Sequence, residues 1–408
     1  MTPAPLDAEV VGRSRIRGTS ADLPVPATRS VLPEPSGRPG PSGPVLSAET
    51  APEPPALADD DVPRQLVDRY GRTVRDLRLS ITDRCNLRCT YCMPAQGLEW
   101  LPTPALLTTT ELTRLGRLAV ERLGVERIRL TGGEPLLRRD LEEIIASLAA
   151  LRTAEGGKPD IALTTNGLGL EKRAAGLRRA GLDRVNISID SLDPRDYATI
   201  TRRDRLGDVL AGIAAAQETG LTPIKVNAVA LPGTVEERAP RLLAECLRHG
   251  WQLRFIEHMP LGPRETWRSQ DVVGAEQVLK ALRDAGFVLS ESGRPDRRPA
   301  ALWNVAAGAQ AGRAHPAGSV GIIASVTAPF CTDCDRTRIT ADGRLMTCLF
   351  STTETDLRGP MRSGADDDEL IRIWAGATWF KPRAHGSDAP PSVDGFARPQ
   401  RTMSAIGG

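Results

Sequence analysis

Three cysteines fall within the eight residues Cys85-Asn86-Leu87-Arg88-Cys89-Thr90-Tyr91-Cys92, spaced C-x3-C-x2-C, in a chain of 408 residues with seven cysteines. Thiolates are soft ligands, and a triplet this compact can wrap a small inorganic centre. A structural zinc ordinarily takes four protein ligands, and no histidine lies near enough in sequence to be an evident fourth. A cubane iron-sulfur cluster also has four corners. Three thiolates would leave one iron open, and an open iron is a binding site. The second triplet, Cys331, Cys334 and Cys348, is spaced C-x2-C-x13-C and again lacks an evident fourth ligand. On spacing alone, a zinc knuckle with a borrowed ligand and paired core cysteines stay open for it. Cys246 lies in the amphipathic stretch "EERAPRLLAECLRHG" and is expected in the core.

The elements that must position these groups begin at Asp76, where short apolar strands alternate with amphipathic helices. Strand candidates are "DLRLSITD", "RIRLTGGEP", "IALTTNG", "RVNISID", "PIKVNAVAL" and "LRFIEHMP", with helices expected at 109–124, 140–152, 208–220 and 275–286. Six βα repeats predict a parallel sheet, either open and doubly wound or a partly closed barrel. Strands buried on both faces should read as nearly continuous apolar runs. These instead carry polar residues two apart: Arg78 and Ser80, Arg129 and Thr131, Thr164 and Asn166, Asn186 with Ser188 and Asp190, Lys225 and Asn227. Two-residue spacing places each set on one side of its strand. Five such strands imply a lumen that binds something polar, with the chemistry at the C-terminal strand ends. After about residue 261 the repeat stops, and a hairpin with Asp342-Gly343 at its turn is expected within "RTRITADGRLMTCLF", in a layer separate from the barrel.

The rest of the chain restricts the class. The formal net charge of +2 gives no global field for nucleic acid or an anionic membrane. No run approaches about 18 apolar residues, and the start lacks the apolar core of a secretory signal. An odd number of cysteines, six of them in two groups, suits metal binding in a reducing compartment, so the cytoplasm is the expected location. The Pro-rich stretch 1–62 is expected to be disordered. The expected divisions are then a barrel over 63–260, a C-terminal region over 261–385 and a tail over 386–408.

C-x3-C-x2-C with an aromatic residue before its last cysteine, after the first strand of a βα repeat, resembles the signature of radical S-adenosylmethionine (SAM) enzymes. "TGGEP" at 131–135 resembles the GGEP motif of that family; its glycines would allow close backbone approach to a ligand, and Glu134 offers an acceptor for an ammonium group. From about residue 64 onward the chain is similar to the GTP 3′,8-cyclase family of molybdenum cofactor biosynthesis. The motifs are "RDLRLSITDRCNLRCTYCMP", "RIRLTGGEPLLRRDL", "LTTNG", "VNISIDSLD", "KVN", "LRFIEHMP", "FCTDCDRTRITADGRLMTCLF" and the terminal "IGG".

The resemblance implies an α/β fold, a partial (β/α)6 TIM-like radical SAM barrel with a C-terminal α+β cap that carries a second iron-sulfur cluster. It implies two [4Fe-4S] clusters with three cysteine ligands each, Cys85, Cys89 and Cys92 for one and Cys331, Cys334 and Cys348 for the other. SAM would meet Tyr91, Gly133, Ser188 and Met259. GTP would meet Arg78, Arg129, Thr164, Lys225, Arg336, Thr337 and Arg338, with Arg254 a further candidate; guanidinium forks suit phosphate oxygens, and no G-x-x-x-x-G-K-[ST] loop is present. Arg78, Arg336, Arg338 and the terminal Gly407 and Gly408 would serve catalysis. Arg254 and Met259 are five apart, so both reach the lumen only if the strand ends or bulges between them. The implied reaction uses a 5′-deoxyadenosyl radical to take the ribose 3′ hydrogen of GTP, after which the carbon radical attacks guanine C8. The implied partners are an electron donor such as flavodoxin or ferredoxin and the downstream cyclic pyranopterin monophosphate synthase, with a homodimer among the expected assemblies. Two other readings stand beside it: a radical SAM peptide modifier with an auxiliary cluster, and a zinc-stabilised GTP-binding protein.

Overall fold

The computed structural model describes residues 62–263, 266–293, 298–385, 399 and 401–407. The Pro-rich stretch up to residue 61, most of the 386–408 tail and Gly408 lie outside the described residues. Among those described, no helix is long and apolar enough to cross a membrane.

Six parallel strands form the centre: β1 (Asp76–Ser80), β2 (Arg127–Thr131), β3 (Asp160–Thr165), β4 (Arg184–Ser188), β5 (Lys225–Ala230) and β6 (Gln252–Glu257). They lie side by side in sequence order, the arrangement of a barrel rather than of a doubly wound sheet, in which the order reverses. Between and beyond them run α1 (Thr109–Arg117), α2 (Leu141–Ala149), α3 (Leu170–Ala180), α4 (Pro194–Thr201), α5 (Leu206–Glu218), α6 (Val235–Arg248) and α7 (Ala275–Asp284). Each strand turns one set of residues outward to these helices: Leu77, Leu79, Ile128, Leu130, Leu253 and Phe255 are all buried. Cys246 is fully buried within α6, as its pattern predicts. The helix expected over 109–124 starts at a reciprocal cap, with Thr108 and Glu111 bonded to one another's backbone N–H. It then widens over Leu118–Arg122 before Gly124, in the left-handed region at φ 71°, ends it.

The C-terminal region departs from expectation. It comprises β7 (Leu289–Gly293), β8 (Ala301–Val305), β9 (Gly308–Gln310), β10 (Arg313–His315), β11 (Gly318–Ile323), β12 (Arg336–Ile339), β13 (Arg344–Met346), β14 (Thr355–Asp356), α8 (Arg358–Arg362), α9 (Asp367–Trp379) and α10 (Met403–Ile406). Instead of stacking as a separate layer, it lengthens the same sheet at both ends. β12 pairs parallel with β1, and β11 pairs parallel with β6. The reason is that six strands leave two open edges with unpaired backbone groups, and the chain after β6 supplies a strand to each. Hydrophobic periodicity shows where strands occur but not which edge they join. The expected hairpin is present: β12 and β13 are antiparallel, with Gly343 at φ 77° in the turn.

Register then aligns the polar faces. Arg78 lies between Arg338 on β12 and Arg129 on β2, and Asp76 lies between Arg336 and Arg127. Further round, Thr164 pairs with Asn186, Asn186 with Lys225, and Asn227 with Arg254. Neighbours in register share a face, so these residues line one lumen.

Candidate active site

The loop after β1 carries the first cysteine triplet, and the turn after β2 holds it. Gly133 N–H donates to Thr82 O at 2.8 Å and Glu134 N–H to Arg84 O at 2.7 Å. A Cβ on Gly132 would lie 2.2 Å from Thr82 O, and one on Gly133 would lie 2.3 Å from Arg84 O. Both glycines are thus required by backbone packed on backbone. The sequence reading assigned that closeness to a ligand; the nearest approach is by the cysteine loop itself. Glu134 is likewise engaged. Its oxygens accept from Leu136 N–H (2.9 Å), Thr165 Oγ1 (2.7 Å) and Asn166 N–H (2.7 Å), leaving about one of four acceptor positions for an ammonium group. Burial raises its pKa to about 7 despite those bonds.

Tyr91, Gly133, Ser188 and Met259 all line one cavity, together with Cys85, Cys89 and Cys92. Tyr91 Oη donates to Asp190 Oδ2 at 2.8 Å, and Asp190 Oδ1 accepts from Val229 N–H at 2.8 Å, which fixes the aromatic residue of the triplet against β5. Met259 comes two residues after β6 ends, whereas Arg254 lies inside it. The strand end removes the conflict of alternation. Burial pushes the Cys85 thiol up to about 11 and Cys92 to about 12, and holds Cys89 well above its ordinary value. Among the charges that act on them are the carboxylates of Glu134 and Asp190, which oppose thiolate formation. Three thiolates here call for an added positive centre, which an iron-sulfur cluster supplies, so the residues fit that group.

Below this cavity the lumen becomes cationic. Burial, then the neighbouring Arg338, Arg129 and Arg336, push the Arg78 guanidinium well below its ordinary value, and burial with Arg336 brings Arg338 to about 10. Burial and the repulsion of Arg254, Arg184 and Arg129 bring Lys225 down to about 7. Asp76 is the carboxylate at the centre of the arginines: it accepts from Arg129 Nε at 3.1 Å, with Arg127 Nε at 3.7 Å. Burial alone would raise its pKa, but Arg129, Arg78 and Arg127 hold it below the usual range. Arg254 is tied in through Asn186, whose Oδ1 accepts from Arg254 Nη2 at 3.0 Å and whose Nδ2 faces Thr164 Oγ1 at 3.4 Å. Arg78 Nε, Arg254 Nε, Ser80 Oγ, Thr131 Oγ1 and Asn227 Oδ1 are buried without a protein partner. Buried polar atoms are seldom left so, and here they lie on the shared lumen face.

At the far end of the arginines lies the second triplet. Arg336 Nη2 is 3.3 Å from Cys334 Sγ, and the buried Lys381 donates to Cys334 O (2.9 Å) and Arg336 O (2.7 Å). Arg72 Nη1 donates to Cys331 O at 2.7 Å. Burial opposes ionisation of Cys334, yet Arg336 and Lys381 bring it to about 6, while burial keeps Cys348 above its ordinary value. The first triplet has Arg88, whose Nη1 donates to Cys85 O at 2.8 Å but whose charge does not offset burial there, whereas here Arg336 and Lys381 do offset it at Cys334. Thr337 differs from expectation: it alternates away from Arg336 and Arg338, and its Oγ1 meets the buried Trp374 Nε1 at 3.4 Å, so only its backbone faces the lumen.

The tail closes the arrangement. Gly407 O accepts from Arg338 Nη1 at 3.1 Å, and a Cβ on Gly407 would lie 2.3 Å from Thr131 Oγ1 and 2.7 Å from Ser80 Oγ. Only glycine passes there, as the sequence reading expects of a tail that enters the lumen. Sequence reasoning missed Asp76 and Lys381. Asp76 was within reach, since it continues the two-residue spacing of Arg78 and Ser80; nothing local marks Lys381.

Residues 79–246 match the Radical SAM superfamily, and residues 251–387 match Molybdenum Cofactor Synthesis C. Among curated proteins the chain is 58% identical over 355 residues to a GTP 3′,8-cyclase of Corynebacterium glutamicum, covering 86% of this chain and 92% of that protein. It is 54% identical to a GTP 3′,8-cyclase of Mycolicibacterium smegmatis, covering 87% of this chain and 94% of the relative. It is 53% identical to one of Mycobacterium marinum, covering 84% and 92%.

Replacement of Gly133 by Ala forces the cysteine loop off the β2 turn. The expected cost is about 1–3 kcal/mol of overpacking, with a lowered iron content after anaerobic reconstitution and retention of the circular dichroism spectrum. Wild-type iron and sulfide content in G133A would contradict this account of the turn.

Proposed function

This chain belongs to the GTP 3′,8-cyclase family of radical SAM enzymes, and from that premise we propose how its residues divide the reaction. The conversion is of GTP to (8S)-3′,8-cyclo-7,8-dihydroguanosine 5′-triphosphate, an early step of molybdenum cofactor biosynthesis. Cys85, Cys89 and Cys92 hold one [4Fe-4S] cluster, and Tyr91, Gly133, Ser188 and Met259 hold SAM beside it. When bound, the reduced cluster and SAM together supply a 5′-deoxyadenosyl radical that can take a hydrogen atom from a ribose. Cys331, Cys334 and Cys348 would hold a second cluster, which would supply a site for the guanine.

The observation that carries this assignment is the placement of the two triplets at opposite ends of one strand pair. The first follows the C-terminal end of β1, and Cys334 precedes the N-terminal end of the parallel β12. From Asp76 to Ser80 the strand spans roughly 13 Å, and the arginines occupy that interval. A triphosphate bound by Arg78, Arg129, Lys225, Arg254, Arg336 and Arg338 leaves the ribose toward the SAM cavity and the base toward the second triplet. Thr164, which lines the cavity and reaches Arg254 through Asn186, sits at the junction. The protein's part is to hold C3′ and C8 of the same nucleotide at contact distance and to exclude water. Arg338, by binding Gly407 O, also seats the end of the tail against the lumen. An acidic flavodoxin or ferredoxin would supply electrons, and the cyclic pyranopterin monophosphate synthase would accept the product, in the cytoplasm.

The division of labour predicts different failures for the two triplets. Cys89→Ser is expected to abolish 5′-deoxyadenosine release. Cys334→Ser is expected to keep uncoupled release and to lose cyclised nucleotide, both read by mass spectrometry. Full product formation by both variants would refute the two-cluster assignment.

Lys225 predicts a pH dependence. Its free-enzyme pKa near 7 lies below the ordinary 10.5 because of burial and adjacent guanidinium groups. Triphosphate favours the charged form, so above pH 7 binding must take up a proton. GTP affinity should therefore fall as pH rises from 7 to 9, by up to about tenfold per pH unit, and Lys225→Arg should flatten that slope. An equally steep profile for the Arg variant would remove Lys225 from the triphosphate site.

A further inference from the structure

Arg401 takes no part in the sites assigned above, yet it makes a fourfold ion pair. Its Nη1 and Nη2 donate to Asp342 Oδ1 and Oδ2, each at 2.9 Å, while its Nε and Nη2 donate to Glu354 Oε1 at 2.5 Å and Oε2 at 2.8 Å. Bidentate pairs of this kind are the strongest ionic hydrogen bonds proteins make, and the most directional. Asp342 is 7% exposed and is itself fixed, because Thr340 Oγ1 donates to its Oδ1 at 2.6 Å. It occupies the turn of the β12–β13 hairpin, the element that carries Arg336 and Arg338 and leads to Cys348. The pair therefore joins the start of the tail to the hairpin that supplies the lumen arginines.

From Arg401 the chain runs directly across the lumen. Met403 N–H donates to Leu261 O at 3.2 Å, next to the segment that carries Met259. Met403 and Ser404 line the same cavity as the first cysteine triplet. One helical turn later Gly407 reaches Arg338, between Ser80 and Thr131. The seven residues from Arg401 to Gly407 thus touch the SAM cavity, the cationic lumen and the hairpin. α10 has only four residues, and isolated helices so short do not hold themselves. Its placement depends on what is tied at each end.

We infer that Arg401 is a positioning residue: its pairing with Asp342 and Glu354 sets the tail across both ligand sites, so that hydrogen abstraction is coupled to cyclisation. The inference rests on the reading that SAM and GTP occupy the adjoining cavity and lumen. Loss of the pair frees Gly407 from Arg338 and opens the cavity beside Met403 and Ser404, while both cysteine triplets stay intact. The 5′-deoxyadenosyl radical is then reduced by a further electron from the reductant and a proton from solvent, and 5′-deoxyadenosine is released without cyclised nucleotide.

The test uses the full-length, anaerobically reconstituted enzyme with Arg401→Gln and Arg401→Lys. Three quantities are read: iron content, the ratio of cyclised nucleotide to 5′-deoxyadenosine, and hydrogen exchange at the amides of residues 403–407. Arg401→Gln is expected to keep wild-type iron, to lose at least tenfold in the product ratio and to exchange faster at 403–407. Arg401→Lys, which keeps the charge but not the fork, should fall between. Glu354→Gln, at the exposed end of the pair, should show a weaker form of the same effects. An unchanged product ratio in Arg401→Gln, or a lowered ratio with unchanged exchange at 403–407, overturns the inference. Failure of the wild type itself to cyclise GTP would instead overturn the reading on which it rests, and unchanged exchange in Arg401→Gln would still exclude Arg401 as the anchor.

Discussion

The cations of the lumen repel one another, and the rest of the site is arranged around that constraint. Strand register fixes Arg338, Arg78 and Arg129 in one row, with Arg336, Asp76 and Arg127 in the row below. Asp76 cannot neutralise them all. A tenfold change in a protonation equilibrium is worth about 1.4 kcal/mol, so the depression of Lys225 from 10.5 to about 7, by burial first and the neighbouring guanidinium groups second, marks several kcal/mol of unfavourable desolvation and field together. The helices outside the barrel hold this arrangement in place, through the largely apolar outer faces of the same strands. A polyanion relieves the repulsion on binding, so the stress stored by the fold becomes selectivity for a triphosphate.

The two cysteine triplets show how position on a strand decides chemistry. Those after β1 are buried near the carboxylates of Glu134 and Asp190, while those around β12 meet Arg336 and Lys381. Cationic surroundings favour the more negatively charged, reduced form of an iron-sulfur centre, and anionic ones disfavour it. The first environment therefore suits a centre that gives its electron away, as SAM cleavage requires. The second is the more cationic and favours thiolate at Cys334. The backbone contact of Gly132 and Gly133 with the first cysteine loop makes this separation rigid.

Much of this was legible in the sequence because it is local. The two triplets, the six strands, the one-sided polar faces and the hairpin at Asp342-Gly343 follow from spacing and alternation alone. What could not be read is what depends on strand neighbours. Nothing in the chain says that β12 lies beside β1, so neither the row of Arg338, Arg78 and Arg129 nor the continuation of one sheet through the C-terminal region was derivable. Alternation already turns the Thr337 side chain away from its arginine neighbours, toward Trp374. Lys381 and Arg401 carry no motif, and their roles appear only when distant segments meet.

The central claim is that one lumen joins SAM cleavage to cyclisation of GTP. The most direct measurement is anaerobic: the reconstituted, reduced enzyme is given SAM with GTP, with ATP or without nucleotide, and 5′-deoxyadenosine and nucleotide products are followed by mass spectrometry. The account predicts 5′-deoxyadenosine release that depends on GTP and matches formation of a cyclised GTP product. Equal release under all three conditions, with no nucleotide product, would contradict it.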